Sequence, residues 1–557
     1  MPESTLSQPQ TLPGGAFLTT ATGQTFTPED LTPEHLAIAR TAAEFWKNEI
    51  EPNIAALRSH QPGLGRSLLR KAADLGLTAV TVPEEFGGME LDLASDIVIA
   101  EQLGLDGSFA TWHGAHTGIG TLPLLYFGTD EQKRRYLPRL SSLDLLAAYA
   151  LSEPQAGSDA LAINTRADLA PDGTHYVLKG QKMWITNGAD ADLFTVFAKI
   201  GGDRFTALIV ERGFGVQSGA EEKKMGIEGS STTALYFDNV RVPVENVLGE
   251  IGRGHLIAFN ILNIGRLKLG AMALGGAKRA LALSIEYAKQ RRAFSQPIAS
   301  FGAIRHKLAE MAIRIYAAES LVWRTVGLIQ QTAVNTGMLR ALEEHAIECS
   351  IAKVFCSEVL DYVVDEAVQI HGGYGYHRDY AVENAYRDAR INRIFEGTNE
   401  INRLLIPDML MKRVARGSLT LQPPSARDDS SAAKRIALLT LQTAHQRFGP
   451  ALASEQEVLM NIADIVIDIF ALESAELRRS RLPATSTAKA MCSVLRHDRW
   501  RSISAAAEDA LAACLEGDKL DAAMSQLRQL CPRNLVNTVE LRRSIAQELL
   551  TRGRYVV

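Results

Sequence analysis

The chain has 557 residues, 46% hydrophobic and 22% charged, with 59 basic against 64 acidic side chains and a net charge of −5. That length exceeds what one core holds and suggests roughly three or four domains. The charge balance excludes bulk attraction to nucleic acid or an anionic membrane, and no apolar run approaches transmembrane length.

Residues 1–28, rich in Thr, Pro, Gly and Gln, read as a poorly ordered lead-in. With no Lys or Arg before Arg40, neither a signal peptide nor a transit peptide is expected, and a cytoplasmic location follows. Residues 29–147 read as a helical domain, with helices at 33–57, 65–75, 92–103 and 130–140 and with Pro83 and Gly87-Gly88 as punctuation. His113 and His116 have a spacing that sometimes binds metal, but no second ligand pair accompanies them, so packing or capping is the better reading and no metal is expected.

Near residue 148 the hydrophobic period changes. Short β-rich runs at 176–178, 182–185, 193–198, 205–210 and 234–237, set among turn pairs such as Asp172-Gly173 and Asn187-Gly188, predict an inserted all-β domain over 148–253, a small barrel or sandwich. From 254 to 415 the chain is helical again, with long segments at 254–291, 302–332, 338–370 and 379–394 that argue an antiparallel bundle. Residues 416–432 read as a linker, and 433–557 as a further amphipathic helical domain. Cys349 and Cys356 share a helical stripe about two turns, roughly 10 Å, apart, too far for a disulfide. Free core thiols in a reducing compartment are expected for all five cysteines.

The chemistry concentrates in Arg390-Ile-Asn-Arg-Ile-Phe-Glu-Gly-Thr-Asn-Glu-Ile-Asn-Arg-Leu-Leu405. Thr398 is a good N-cap for an apolar-periodic helix, Glu400 falls in its first turn, and Glu396 stands just before it. Gly397 lets another molecule approach the backbone closely, and free N–H groups there would steady a developing negative charge. Ile394 and Phe395 would raise the pKa of Glu396 towards the range of a general base.

Four further signatures accompany that stretch: Ala148-Tyr-Ala-Leu-Ser-Glu-Pro-Gln-Ala-Gly-Ser-Asp159, Lys179-Gly-Gln-Lys-Met-Trp-Ile-Thr-Asn-Gly188, Arg291-Arg-Ala-Phe294 and Gln369-Ile-His-Gly-Gly-Tyr-Gly375. In this order, over residues 30–415, they resemble the acyl-CoA dehydrogenase family. The C-terminal extension and Asn260-Ile-Leu-Asn-Ile-Gly-Arg266 look most like its very-long-chain branch. The resemblance implies FAD, α,β-desaturation of an acyl-CoA with Glu396 as base, and electron-transferring flavoprotein as acceptor, in the first step of β-oxidation. Relatives that take the base from the first bundle helix have it where this chain has Gly265, and nitroalkane oxidases of the same fold use Asp in place of Glu396.

It further implies that Tyr149, Leu151, Ser152, Trp184 and Thr186 embrace the flavin ring, and that Ser158 and Arg266 contact acyl-CoA, with Phe395 and Gly397 beside the base. Arg291, Phe294, Gln369 and Gly373 match positions reaching the FAD of a neighbouring subunit, and Thr398 and Glu400 match contacts at the helix start, so a homodimer is implied. Two departures stand out: Ser295 where many relatives have Gly, and Gly302 where the medium-chain branch has Gln. The linker at 416–432 is also shorter than the amphipathic membrane-binding insertion of the mitochondrial very-long-chain enzymes, so stable membrane attachment is not expected. An acyl-CoA oxidase using oxygen, or a non-catalytic assembly protein on the same scaffold, are the alternative readings.

Overall fold

The structure is a computed structural model that describes residues 12–557 except 21, 22, 24, 423, 425–428, 485, 533 and 534. Its helices α1–α7 are Pro33–Phe45, Ile54–Arg58, Leu64–Asp74, Leu93–Leu103, Gly107–Gly114, Leu122–Phe127 and Asp130–Ser141. Thr32, Asp92, Asp106 and Thr129 cap α1, α4, α5 and α7 through their side-chain oxygens. The sequence reading missed α5 and α6, where Gly and aromatic residues blur the helical period. His113 and His116 are spent on the backbone, their Nε2 atoms lying 2.7 Å from Leu77 O and 3.1 Å from Leu140 O. Burial pushes both imidazoles down to about 3.

Strands β1–β8 are Ala147–Ala150, Arg166–Leu169, His175–Thr186, Leu193–Ile200, Arg204–Glu211, Gln217–Glu221, Thr232–Pro243 and Val247–Leu248. They form one sheet in the order β6-β7-β3-β2-β4-β5-β8, with β1 parallel to β4. The two runs at 176–178 and 182–185 are one strand, β3, whose pairing with β7 slips twice, between Leu178 and Gly180 and between Lys182 and Ile185. Phe109 and Trp112 of α5 share one core with Leu178, Phe194 and Leu235, which fastens the sheet to the N-terminal helices.

Beyond the sheet come α8 (Gly254–Gln290), the hairpin of β9 (Arg292–Ala293) and β10 (Gln296–Pro297), then α9 (Gly302–Thr336), α10 (Met338–Glu344), α11 (Ala346–His371), α12 (Ala381–Ala389) and α13 (Asn399–Ala415). Contrary to the sequence reading, α8 is long and apolar enough to cross a membrane by length and composition, but 72% of its most apolar window is buried within the protein, as befits the central helix of a bundle. The expected helix over 338–370 breaks at buried His345, whose ring lies 2.8 Å from Thr332 Oγ1.

Helices α14–α18 are Asp429–Phe448, Gln456–Arg479, Ala488–Cys514, Gly517–Leu530 and Thr538–Arg552. Helices α15, α16 and α18 pack on α9, and the end of the expected linker is already the start of α14. The described residues of the expected lead-in are not loose. Ala16–Leu18 form a buried turn, Phe17 lies 4.8 Å from Phe470 of α15, and Gly15 N–H donates to Glu348 Oε1 at 2.7 Å. Composition concealed this because two apolar side chains suffice to pin a short segment. All five cysteines are free, four of them buried.

Candidate active site

Glu396 and Gly397 both take left-handed backbone, with φ of 58° and 77°, between a 3₁₀ turn at Arg390–Arg393 and α13. A non-glycine residue there stores strain of ~1–2 kcal/mol. Three restraints hold it. Thr398 Oγ1 accepts from Ile401 N–H at 3.2 Å, capping α13. The Asn402 amide donates to the carbonyls of Gly397 at 2.8 Å and Thr398 at 3.0 Å, and more weakly to that of Glu396 at 3.3 Å. From α8, Arg266 Nε donates to the Glu396 carbonyl at 3.2 Å while its Nη1 donates to Asn263 Oδ1 at 3.0 Å.

The strained turn aims the Glu396 carboxylate at α8, opposite Gly265. A Cβ on Gly265 would lie only 2.7 Å from Glu396 Oε2, so the missing side chain makes room for the base. Glu396 Oε2 is buried without a hydrogen-bond partner, and so is the Tyr149 hydroxyl. Burial pushes the carboxyl up to about 7 against the opposing pull of Arg266 and Lys353. Burial, and after it the Glu396 charge, drive the Tyr149 phenol well above its ordinary range, so β1 lies near enough to feel the base. Ile394 is 48% exposed, so the desolvation comes from α8 and the sheet rather than from Ile394 as the sequence reading supposed.

The sheet supplies the opposite wall. Buried Lys182 of β3 donates to Glu153 Oε1 at 2.7 Å and to Leu151 O at 3.0 Å, and Met183 N–H donates to Ser152 O at 2.9 Å. Leu151 and Ser152 are thereby stitched to the slip in β3 where Trp184 stands, with Thr186 just beyond it. Trp184 is 62% exposed with φ of 57°, an aromatic face turned outward by a left-handed residue. Tyr149, Leu151, Ser152, Trp184 and Thr186 therefore gather at one end of the sheet. Ser158 is exposed in the loop after β1, and Glu400 is exposed in the first turn of α13.

Arg291, Phe294, Gln369 and Gly373 form a separate group. Arg291 ends α8 about 39 Å along the helix axis from Gly265, more than the diameter of a small domain. Arg291 and Gly373 line one cleft with Tyr287 and His371, and the Arg291 guanidinium lies 5.5 Å from the Tyr374 ring centre. Gln369 is exposed, and Phe294 is 90% exposed at the tip of the β9–β10 hairpin. One chain does not bring this group to Glu396. Sequence reasoning missed Lys353, Asn399, Asn402 and the Lys182–Glu153 pair, because a lone polar residue inside a helical or strand pattern carries no periodic signal.

A buried carboxyl with an unsatisfied oxygen, a glycine opposite it and an exposed tryptophan face on the sheet fit a class: enzymes that abstract a proton next to a planar redox cofactor. The orphaned Tyr149 and Glu396 oxygens and the outward Trp184 face fit such a group. The family models for the acyl-CoA dehydrogenase N-terminal domain match residues 32–144, for the middle domain 148–240, and for two C-terminal domains 252–411 and 432–529. A probable acyl-CoA dehydrogenase of Bacillus subtilis is 46% identical, covering 98% of each chain. The crystal structure of an acyl-CoA dehydrogenase complexed with FAD from Bacillus anthracis superposes with a TM-score of 0.95 at 46% identity, over 98% of this chain and 100% of that one. The very long-chain specific enzyme of mouse mitochondria is 42% identical over 349 residues, 61% of this chain and 52% of that protein. The chain belongs to the acyl-CoA dehydrogenase family of FAD-dependent oxidoreductases.

Proposed function

We propose that this protein desaturates long-chain acyl-CoA thioesters between the α and β carbons, with Glu396 as the base. The observation that carries this reading is the Glu396 carboxyl itself, its Oε2 unpartnered, facing Gly265 and raised to about 7. FAD, when bound, supplies the acceptor for the hydrogen and electron pair leaving the β-carbon. Tyr149, Leu151, Ser152, Trp184 and Thr186 hold its ring, with Thr398 and Glu400 at the start of α13. Glu396 takes the α-proton on Oε2. The N–H of Glu396 has no acceptor among the described residues, so it is free to donate to the thioester oxygen as negative charge grows there. Ser158, Arg266, Phe395 and Gly397 line the approach of acyl-CoA.

The long-chain preference rests on the very-long-chain resemblance, and a cavity along α8 supports it. A cavity of about 210 Å³ lies between α5 and α8, bordered by Met272, Gly276 and Leu283 on one side and Gly107 and Thr111 on the other. Met272 stands about 10 Å beyond Gly265 on the same helix face, and Leu283 about 16 Å further. The cavity's α8 lining thus runs about 16 Å along the helix, and Phe395, the neighbour of the base, borders it. The distant cleft at Arg291 and Gly373, with Phe294 and Gln369, supports completion of each cofactor site by a second copy in a homodimer. The five free thiols support a cytoplasmic enzyme, and electron-transferring flavoprotein is the acceptor we assign, in the first step of β-oxidation.

The test is an anaerobic titration of the FAD-loaded protein with palmitoyl-CoA, followed by flavin absorbance. Bleaching in the wild type, with Glu396→Gln retaining FAD but not bleaching, is expected; an active Glu396→Gln refutes the assignment. Turnover with oxygen exceeding turnover with electron-transferring flavoprotein would replace the dehydrogenase by an oxidase.

A further inference from the structure

Lys353 of α11 has no solvent exposure, and its Nζ donates to Asn399 Oδ1 at 2.7 Å. Asn399 is the first residue of α13, three positions after Glu396, and its own amide donates to Ser357 Oγ and Glu358 Oε1, each at 3.1 Å. A buried ammonium whose hydrogen-bond acceptor is a neutral amide is costly unless an anion stands nearby. The anions whose fields reach Lys353 are Glu396 foremost, then Glu400 of α13 and Glu358 of α11, with Arg266 of α8 opposing them. Around Glu396 the corresponding groups are Arg266 from α8 and Lys353 from α11, with the Tyr149 phenol on the sheet side. Arg266 grips the Glu396 carbonyl, so α8 restrains the loop from one side while Lys353 restrains it from the other.

We infer that Lys353 is a positioning residue for the base: its ammonium fixes the first turn of α13 through Asn399 and holds the Glu396 carboxylate in its ionised, proton-accepting form. Burial lowers Lys353 to about 7 while the Glu396 charge opposes that fall, so ammonium and carboxylate each favour the other's charged form. This rests on Glu396 being the base, yet the loop geometry and the carboxyl titration can be read without turnover.

The experiment compares Lys353→Gln and Lys353→Met in the FAD-loaded protein. Gln keeps a shorter donor for Asn399 and removes the charge; Met removes both. One readout is the acid limb of kcat/KM against pH. The other is an infrared titration of the Glu396 carboxyl, its band assigned by loss in Glu396→Gln. Both should move up by about one unit in Lys353→Gln, a roughly tenfold loss on the acid side that alkaline pH restores. Lys353→Met should show the same shift without full recovery, because the α13 turn is also released. An unmoved limb and carboxyl titration in a Lys353→Gln that retains FAD would overturn the proposal and leave Lys353 a structural residue. Should both variants lose FAD, Lys353→Arg decides: keeping the charge must keep the wild-type limb, and a shifted limb refutes the inference. Inactivity of wild-type protein towards every acyl-CoA, with the carboxyl shift present, would instead count against the proposed function.

Discussion

Gly265→Ala separates stability from activity. A methyl at that position would lie 2.7 Å from Glu396 Oε2, 3.0 Å from Cδ and 3.1 Å from Oε1. Ordinary contact needs about 3.5 Å, so the carboxylate must retreat by roughly 0.8 Å. It can do so cheaply, being the end of a flexible side chain, and replacing a mid-helix glycine by alanine contributes up to ~1 kcal/mol of helix propensity. The folded protein should therefore melt at the same temperature or higher and keep its FAD. A displacement approaching 1 Å between base and substrate costs about a hundredfold in rate, ~2.7 kcal/mol of barrier. The assay is kcat/KM with palmitoyl-CoA and an artificial electron acceptor, beside thermal melting and flavin content. A kcat/KM within about twofold of wild type would refute the reasoning, because it would mean that the carboxylate does not work from the position opposite Gly265. Loss of FAD would refute it too, by showing that the glycine serves packing.

The raised pKa of Glu396 has a stability counterpart. The folded carboxyl holds its proton up to about 7 against an ordinary value of 4.5, so the folded state binds more protons in that window. Stability then falls as pH rises through it, by roughly 3 kcal/mol above it. Glu396→Gln should melt higher than wild type near about pH 8 and no higher near about pH 4; equal melting at both would refute this. Wild-type kcat/KM should fall as pH drops below about 7. Ser295 sits at the hairpin tip with φ of 66°, beside Phe294 with φ of 50°, which explains why relatives favour glycine there. Ser295→Gly should gain about 1 kcal/mol in thermal or denaturant melts. Tyr555, whose hydroxyl donates to Glu319 Oε2 at 3.1 Å, pins the C-terminus beside Lys278 and Arg478. Tyr555→Phe should cost about 1 kcal/mol and speed proteolysis of the last helix while leaving kcat unchanged.

Residues with periodic or punctuating signals were legible in the sequence. The order of helical, β and bundle segments followed from the switch between helical and strand periods, and Thr398 is the cap its position promised. Helix α5 escaped because Gly107 and Gly114 bracket it and Asp106, its cap, reads equally as a turn residue. Residues 12–20 were misread because disorder was inferred from composition, whereas Phe17 and Leu18 are buried against distant parts of the chain.

The site divides along the same line. Glu396 announced itself by its neighbours in sequence, but its power as a base depends on residues without a local signature. Gly265 is 131 positions away and acts by what it lacks, and Lys353 is one of several polar residues on α11 with nothing in its sequence neighbourhood to single it out. Trp184 makes the converse point: in a strand pattern it reads as a core aromatic, yet the slip in β3 and its positive φ turn it outward. Strand periodicity alone assigns such a residue to the core; the motif around it, and then the tertiary register, put its face outside. A chain that spends strain at Trp184 and Glu396 and leaves Glu396 Oε2 and the Tyr149 hydroxyl unsatisfied carries local costs of the kind that concentrate at functional sites.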